Sequence, residues 1–276
     1  MHEMTVLPTC ENAVKSIAIF IGTGACNARC SHCAGLPHRK NAPREDRLPD
    51  EALVRRTLAA SHARGARALS ISSSGEPTLS PRSVTRLFEI VDEIRSEGIT
   101  FASIHLYSNG IRIGQEQEFC ERYLPLWRGH GLDTIYLTIH ALDERENART
   151  YGVASYPPLP LVFARIQDAD LRVRANMMLS TCTVHTLESF ISSVESLCRL
   201  GADRIAAWPI RGQDDRPDLA LAPSPEEIAR IREWVREHGV AYKTTLLGEE
   251  TCIQYHSGQK LTLFPDGTLS STWCNH

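Results

Sequence analysis

Short runs of apolar and β-branched residues recur along the chain at 16–21, 68–72, 101–107, 134–139, 172–179 and 204–210. The segments between them carry apolar residues at helical spacing. Val84, Leu87, Phe88, Val91 and Ile94 form one such face before Gly98, and Leu187, Phe190, Ile191, Val194, Leu197 and Cys198 form another before Gly201. Ser224-Pro225-Glu226-Glu227 has capping-box spacing with proline at the first helical position, and predicts a helix that ends at His238-Gly239. Strands alternating with helices predict a parallel sheet covered by helices. The near-continuous apolar run at 16–21 is expected to be buried on both faces. A complete eight-unit barrel takes about 250 residues, and six units predict an α/β fold of the partial, open (β/α)6 kind. Residues 260–270 form two short runs around Pro265-Asp266-Gly267, a hairpin signal. The expected division is an N-terminal extension at 1–15, a barrel at 16–215, and a helix-and-hairpin extension at 216–276.

Charge changes this picture little. Thirty Lys and Arg face thirty-three Asp and Glu, a net charge of −3, so no broad basic surface for large nucleic acids is expected. No apolar run approaches the roughly 20 residues of a membrane-spanning helix. The first nine residues do not read as a secretory signal, and a cytoplasmic protein is expected.

The cysteines change it more. There are nine, an odd number that does not suggest a disulfide framework. Cys26, Cys30 and Cys33 fall within eight residues, directly after the first strand, whereas Cys10, Cys120, Cys182, Cys198, Cys252 and Cys274 are scattered. Parallel barrels place their chemistry at that end of the strands. Soft sulfur ligands favour zinc or an iron–sulfur cluster. Zinc would need a fourth ligand, for which His38 is the nearest candidate. A [4Fe–4S] cluster on three cysteines would leave one iron open. Gly22 and Gly24 allow the backbone to approach closely.

The C-x3-C-x2-C loop resembles the signature of the radical S-adenosylmethionine (radical SAM) superfamily. Three later strand ends resemble that family in order: Ser74-Gly75-Glu76-Pro77, Tyr107-Ser108-Asn109-Gly110, and Thr138-Ile139-His140. The resemblance implies a partial (β/α)6 barrel with Cys26, Cys30 and Cys33 holding a [4Fe–4S] cluster. S-adenosylmethionine (SAM) would chelate the open iron, and its reductive cleavage would give a 5′-deoxyadenosyl radical that abstracts a substrate hydrogen. Gly75 and Glu76 would receive the ammonium of SAM, Ser108 and Asn109 its ribose or carboxylate, and His32 its adenine. An external electron donor such as flavodoxin or ferredoxin is implied.

Strand parity adds further candidates. Thr138 and His140 share one face of their strand, and Arg174 and Asn176 share one face of theirs. Thr138 and Asn176 are candidates for the cofactor, and Arg174, Trp208 and Arg211 for the substrate. His140, Cys252 and Cys274 are the catalytic candidates. Cys252 and Cys274 flank the hairpin much as cysteines do in the SPASM and twitch subfamilies, which carry an auxiliary iron–sulfur cluster. A complete auxiliary cluster here would need Cys10, Cys182, His256 or His276. Cys120 and Cys198 lie on helix faces and are expected to pack as small hydrophobes.

Only 25 residues precede Cys26, too few for a separate peptide-recognition domain. There is no Gly-Gly ending of the molybdenum-cofactor cyclase kind. No cobalamin domain and no methyl-carrying cysteine pair are evident. The expected substrate is a small metabolite, a nucleoside, sugar or amino-acid derivative in a biosynthetic pathway. Modification of a short peptide is the alternative within the family, and a non-catalytic zinc module the alternative outside it.

Overall fold

The computed structural model describes residues 13–33, 35–48, 50–212, 217–247 and 257–271. Six strands match the expected runs: β1 (Ser16–Phe20), β2 (Ala68–Ser72), β3 (Ser103–Ser108), β4 (Thr134–Ile139), β5 (Arg172–Leu179) and β6 (Arg204–Pro209). They pair in sequence order and in parallel throughout. Their connections contain helices α1 (Glu51–Ala63), α2 (Pro81–Ser96), α3 (Ile111–Gln115), α4 (Gln117–Gly129), α5 (Glu144–Tyr151), α6 (Leu159–Gln167) and α7 (Leu187–Arg199).

Three strands extend this core. After helix α8 (Pro225–His238), β7 (Thr244–Leu246) pairs in parallel with β6. Three residues are too few to show a period, so this strand has no signal in the sequence. The hairpin forms as expected from β8 (Lys260–Leu263) and β9 (Leu269–Ser270). Its turn closes through Gly267 N–H to Phe264 C=O, 3.0 Å, with Gly267 at φ 85°. The first hairpin strand does more than cap the barrel, because β8 also pairs in parallel with β1, Lys260 opposite Ser16. The full order is β7-β6-β5-β4-β3-β2-β1-β8-β9.

Strand parity divides the two faces. Ile17, Ile19, Leu69, Ile71, Leu106, Ile135, Leu137, Val173 and Ala175 are buried in a core with helix residues Leu58, Leu87, Phe88, Trp127, Phe163 and Phe190. Strand β1 is apolar on both faces, as expected. In β2–β5 the alternate positions are polar: Ser70, Ser72, His105, Tyr107, Tyr136, Thr138, Arg174 and Asn176. Buried polar groups need partners, and this polar inner face surrounds a cavity.

The helix ends hold one reassignment. Ser224 caps α8 by accepting from Glu227 N–H, 3.2 Å. The Glu227 carboxylate, however, accepts from Leu187 N–H at 2.8 Å and so ties α8 to the first turn of α7. The reciprocal box sits at α7 itself, between Thr186 and Ser189.

His105 links this packing to pH. Its ring stacks on Tyr136 at 4.1 Å and hydrogen-bonds Ser70 Oγ at 2.8 Å. Burial pushes its pKa down to about 4, with Arg174 and Lys260 acting the same way and Asp133 opposing. The folded state therefore holds His105 neutral, whereas the unfolded chain takes up a proton below about pH 6.5. The associated stability is complete above that pH, falls as the solution is acidified, and levels off below about pH 4. Between pH 7 and pH 5 the loss should be about 2 kcal/mol. Urea unfolding at both pH values checks this, and His105→Asn should shrink the difference by that amount. An unchanged difference would remove His105 as its source.

Candidate active site

Cys26, Cys30 and Cys33 lie on the loop after β1, all half-buried, and line a cavity of about 330 Å³ inside the open barrel. Gly22 and Gly24 hold φ of 77° and 73°, which residues with a Cβ rarely adopt. Burial raises the pKa of the Cys26 thiol, opposed by the Ala28 N–H that it accepts at 3.4 Å. Burial, then the neighbouring Cys33 and Cys26, push Cys30 up to about 12. Thiols that resist ionising together suit a bound cationic metal group, which stabilises thiolates. Arg39 donates to Cys33 Sγ at 3.5 Å and to Ser74 C=O at 3.0 Å, joining the thiol loop to the turn after β2.

That turn is pressed directly against the cysteine loop. Glu76 N–H donates to Ala25 C=O at 2.8 Å. A Cβ on Gly75 would stand 2.1 Å from Ala25 C=O and 2.4 Å from Gly24 C=O, so only glycine allows this approach. Gly75→Ala should displace the loop and lower iron incorporation on reconstitution by at least about tenfold, the scale set by disturbing the surroundings of metal ligands. Colorimetric iron analysis checks this, and wild-type iron content would show that the loop tolerates the displacement.

Glu76 is buried and receives four hydrogen bonds. Thr78 N–H (3.2 Å), Thr78 Oγ1 (2.7 Å) and Ser108 Oγ (2.9 Å) donate to Oε1, and Asn109 N–H (2.8 Å) donates to Oε2. Burial raises its pKa and these donors pull it back. These four donors favour the carboxylate form against the cost of its burial. Ser108 and Asn109 therefore serve Glu76 first. The Asn109 amide also donates to Asn27 Oδ1 at 2.7 Å and lies 3.9 Å from Cys26 Sγ, so the end of β3 is fastened to the thiol loop.

The remaining candidates divide. His32, Thr138, His140, Arg174, Trp208 and Arg211 all line the cavity. His140 is 2% exposed, its Nδ1 has no hydrogen-bond partner among the described residues, and its ring meets His32 edge-on at 4.9 Å. Burial, with His32 adding to it, lowers its pKa to about 3, and His32 is also lowered by burial. Both polar atoms of the Asn176 side chain are buried without a hydrogen-bond partner among the described residues, and Asn176 is not among the cavity-lining side chains. Trp208 contacts the Met178 sulfur through its indole N–H.

His38 does not line the cavity; it is buried against Phe264 (4.6 Å, stacked) and Phe20 (5.8 Å, edge-on). The zinc alternative thus loses its fourth ligand to aromatic packing. Cys120 and Cys198 pack, near Ile113 C=O (3.2 Å) and Tyr242 C=O (3.8 Å). Cys182 is exposed. Cys10, Cys252, Cys274, His256 and His276 lie outside the described residues.

Sequence reasoning missed Arg39, Tyr107, Tyr151 and Lys260, which also line the cavity. Tyr107 has the inward parity of Asn109 and was legible by that rule. Lys260 was not, because its place depends on the pairing of β8 with β1.

No curated protein matches the sequence. Among solved structures, SuiB of Streptococcus suis bound to precursor peptide SuiA has a TM-score of 0.63 at 16% identity, over 94% of this chain and 60% of that one. Methylornithine synthase (PylB) has a TM-score of 0.57 at 16% identity, over 92% and 73%. The anSMEcpe structure with bound AdoMet has a TM-score of 0.62 at 11% identity, over 92% and 73%. The chain thus spans about 60% of the length of SuiB, and at these identities the likeness speaks for the fold. Among the described residues no helix is long and apolar enough to cross a membrane. The model of the Radical SAM superfamily matches residues 20–156, a span that holds the thiol loop, the Gly75-Glu76 turn and the ends of β3 and β4. Over residues 20–156, just under half of its length, the chain is similar to the Radical SAM superfamily, a family that works with a [4Fe–4S] cluster and SAM.

Proposed function

We propose that Cys26, Cys30 and Cys33 hold the cluster, that Gly75 and Glu76 receive the ammonium of SAM, and that the enzyme abstracts hydrogen from a small metabolite. The observation that carries this reading is the buried Glu76 carboxylate, hydrogen-bonded on both oxygens and fastened to the thiol loop through Ala25. The chemistry supplied there is reductive cleavage of SAM to methionine and a 5′-deoxyadenosyl radical. Glu76 presents negative charge to the ammonium. Asn109, Asn27 and Arg39 fix the loop so that the thiols and the carboxylate share one frame. His32, His140 and Tyr151 form an aromatic wall with ring centroids 4.9 and 4.7 Å apart, which excludes water from a reactive radical. His140 stays neutral at working pH, so it can exchange a hydrogen bond but carries no charge.

Anaerobic reconstitution with iron and sulfide, then SAM and dithionite, tests the reading. It expects 5′-deoxyadenosine; a fully loaded cluster with no cleavage would refute it. Modification of a short peptide is the second reading, favoured by the likeness to a SuiB structure that holds its precursor peptide. An added candidate peptide that changes mass in the same assay would establish it.

A further inference from the structure

The thiol loop and the chain that follows it have two surfaces. Cys26, Cys30, Cys33 and Arg39 line the cavity, whereas Leu36, Pro37, Lys40 and Arg44 do not line it and are exposed. Residues 29–47 hold Arg29, Arg39, Lys40, Arg44 and Arg47 against Glu45 and Asp46, a net charge of +3 in a chain of net charge −3. Both acids are engaged. Glu45 pairs with Arg47 at 3.2 Å, and the Asp46 carboxylate accepts from Arg82 N–H and Ser83 N–H, each at 2.9 Å. No described residue makes an ion pair or a side-chain hydrogen bond with Arg29, Lys40 or Arg44, so the uncompensated charge is positive. Leu36 stands among these charges with 47% of its surface exposed. It opens a 3-10 helix, Leu36–Asn41, in which residues three apart lie one above the other, so Pro37 and Lys40 share its outer side. His38 faces inward and stacks on Phe264. The helix begins at a thiol, with Leu36 N–H donating to Cys33 C=O at 3.2 Å. The segment is held at both ends of this stretch, by Arg29 N–H to Tyr151 C=O at 2.7 Å and by the Asn41 amide to Asp266 at 2.9 Å. A face ordered in advance loses little freedom when a partner binds.

We propose that Leu36, Pro37, Lys40 and Arg44 form the docking face for an acidic one-electron carrier protein, which reduces the cluster from outside the cavity. This rests on the reading of the thiols as cluster ligands and gives the external reductant a surface. In that step one electron leaves the reduced carrier and enters the cluster. The carrier is oxidised by one electron, the cluster is reduced by one, and no bond forms or breaks. A cavity of about 330 Å³ admits no carrier protein, so the electron has to arrive through the outer surface of the loop. Leu36, three residues from Cys33, supplies an apolar centre there, and Lys40 and Arg44 supply a charged rim, the usual anatomy of a protein contact. A positive rim draws an acidic partner at a rate that falls as ionic strength rises. An acidic substrate would instead have to reach the cavity, which none of these four residues lines.

The test uses the reconstituted full chain, with an acidic flavodoxin as the probe. Biolayer interferometry reads its binding at low and at physiological ionic strength, and SAM cleavage is then driven either by photoreduced flavodoxin or by dithionite. The double variant Lys40→Glu, Arg44→Glu should slow association by about tenfold, within the range that electrostatic steering spans. Leu36→Ser should raise the dissociation rate by about tenfold, through loss of apolar contact. Added salt should slow association of the wild type and narrow its difference from the double variant. Flavodoxin-driven formation of 5′-deoxyadenosine should fall with binding. Iron content and dithionite-driven cleavage should stay at the wild-type level, because a small reductant needs no docking face. The proposal is overturned if flavodoxin does not bind, or if both variants bind it as tightly as the wild type. It is overturned equally if polyglutamate binds as tightly as flavodoxin, which would make the face a site for polyanions at large. A wild-type enzyme that binds flavodoxin through this face but cleaves no SAM with dithionite would strike the cluster reading and leave the docking face standing.

Discussion

Cys30→Ala is expected to abolish cluster assembly and to reduce 5′-deoxyadenosine formation to the level of a reagent blank. Cys30 is the thiol most strongly opposed to ionisation, raised by burial and then by Cys33 and Cys26. A bound metal group would offset that cost and stabilise the thiolate. Two remaining sulfurs would leave a second iron without protein support, and iron–sulfur centres are held by cysteine thiolates. Cys26→Ala and Cys33→Ala should behave alike. Cys182→Ala, at an exposed position, should retain both the brown chromophore and the cleavage. Iron and sulfide analysis with product chromatography separates the cases. A Cys30→Ala enzyme that still assembles a [4Fe–4S] centre and cleaves SAM would remove that thiol from the ligand set.

Glu76→Gln should have the next largest effect, and it should fall on SAM binding before cluster assembly. The carboxylate accepts from Thr78, Ser108 and Asn109, so every neighbour is a donor. A glutamine would turn an amide NH2 toward one of them and oppose donor to donor. That conflict costs about 1–3 kcal/mol of stability. The charge that faces the ammonium of SAM disappears as well, and a charge-assisted hydrogen bond contributes about 1.5–3 kcal/mol. Affinity for SAM should fall by about 10- to 150-fold, with the iron content unchanged. Equilibrium dialysis with labelled SAM reads the first and iron analysis the second. Unchanged affinity would place the ammonium elsewhere.

The parts of this site that were legible in the sequence are those set by local geometry. The C-x3-C-x2-C loop, the Gly75-Glu76 turn and the strand ends at Ser108-Asn109 and Thr138-His140 each sit within a few residues of a strand terminus. An error of one or two residues in a boundary does not move them to another face. Six strands could be placed because their apolar outer faces repeat every second residue. Along β4 and its C-terminal end, and along β5, polar residues share the same period, Thr138 with His140 and Arg174 with Asn176, whereas β1 is apolar on both faces.

What could not be read depends on long-range pairing. Nothing near Lys260 indicates that it enters the barrel, because that follows from β8 lying beside β1. His38 looked like a fourth thiol partner by nearness along the chain, but Phe264 on the distant hairpin captures its ring. Glu227 had the spacing of a capping box, and the neighbouring helix α7 offered its carboxylate a free N–H instead. In each case local preference was overridden by an element brought close only by folding.

The central claim is that three thiols hold a cluster with one iron left open for SAM beside Glu76. Electron–nuclear double resonance on the dithionite-reduced enzyme, with and without SAM labelled with ¹⁵N at its amino group, tests it most directly. The account predicts a [4Fe–4S] signal that shifts on SAM addition and gains a coupling to the labelled nitrogen. A signal indifferent to SAM, or protein prepared without oxygen that carries stoichiometric zinc on the three cysteines, would contradict it.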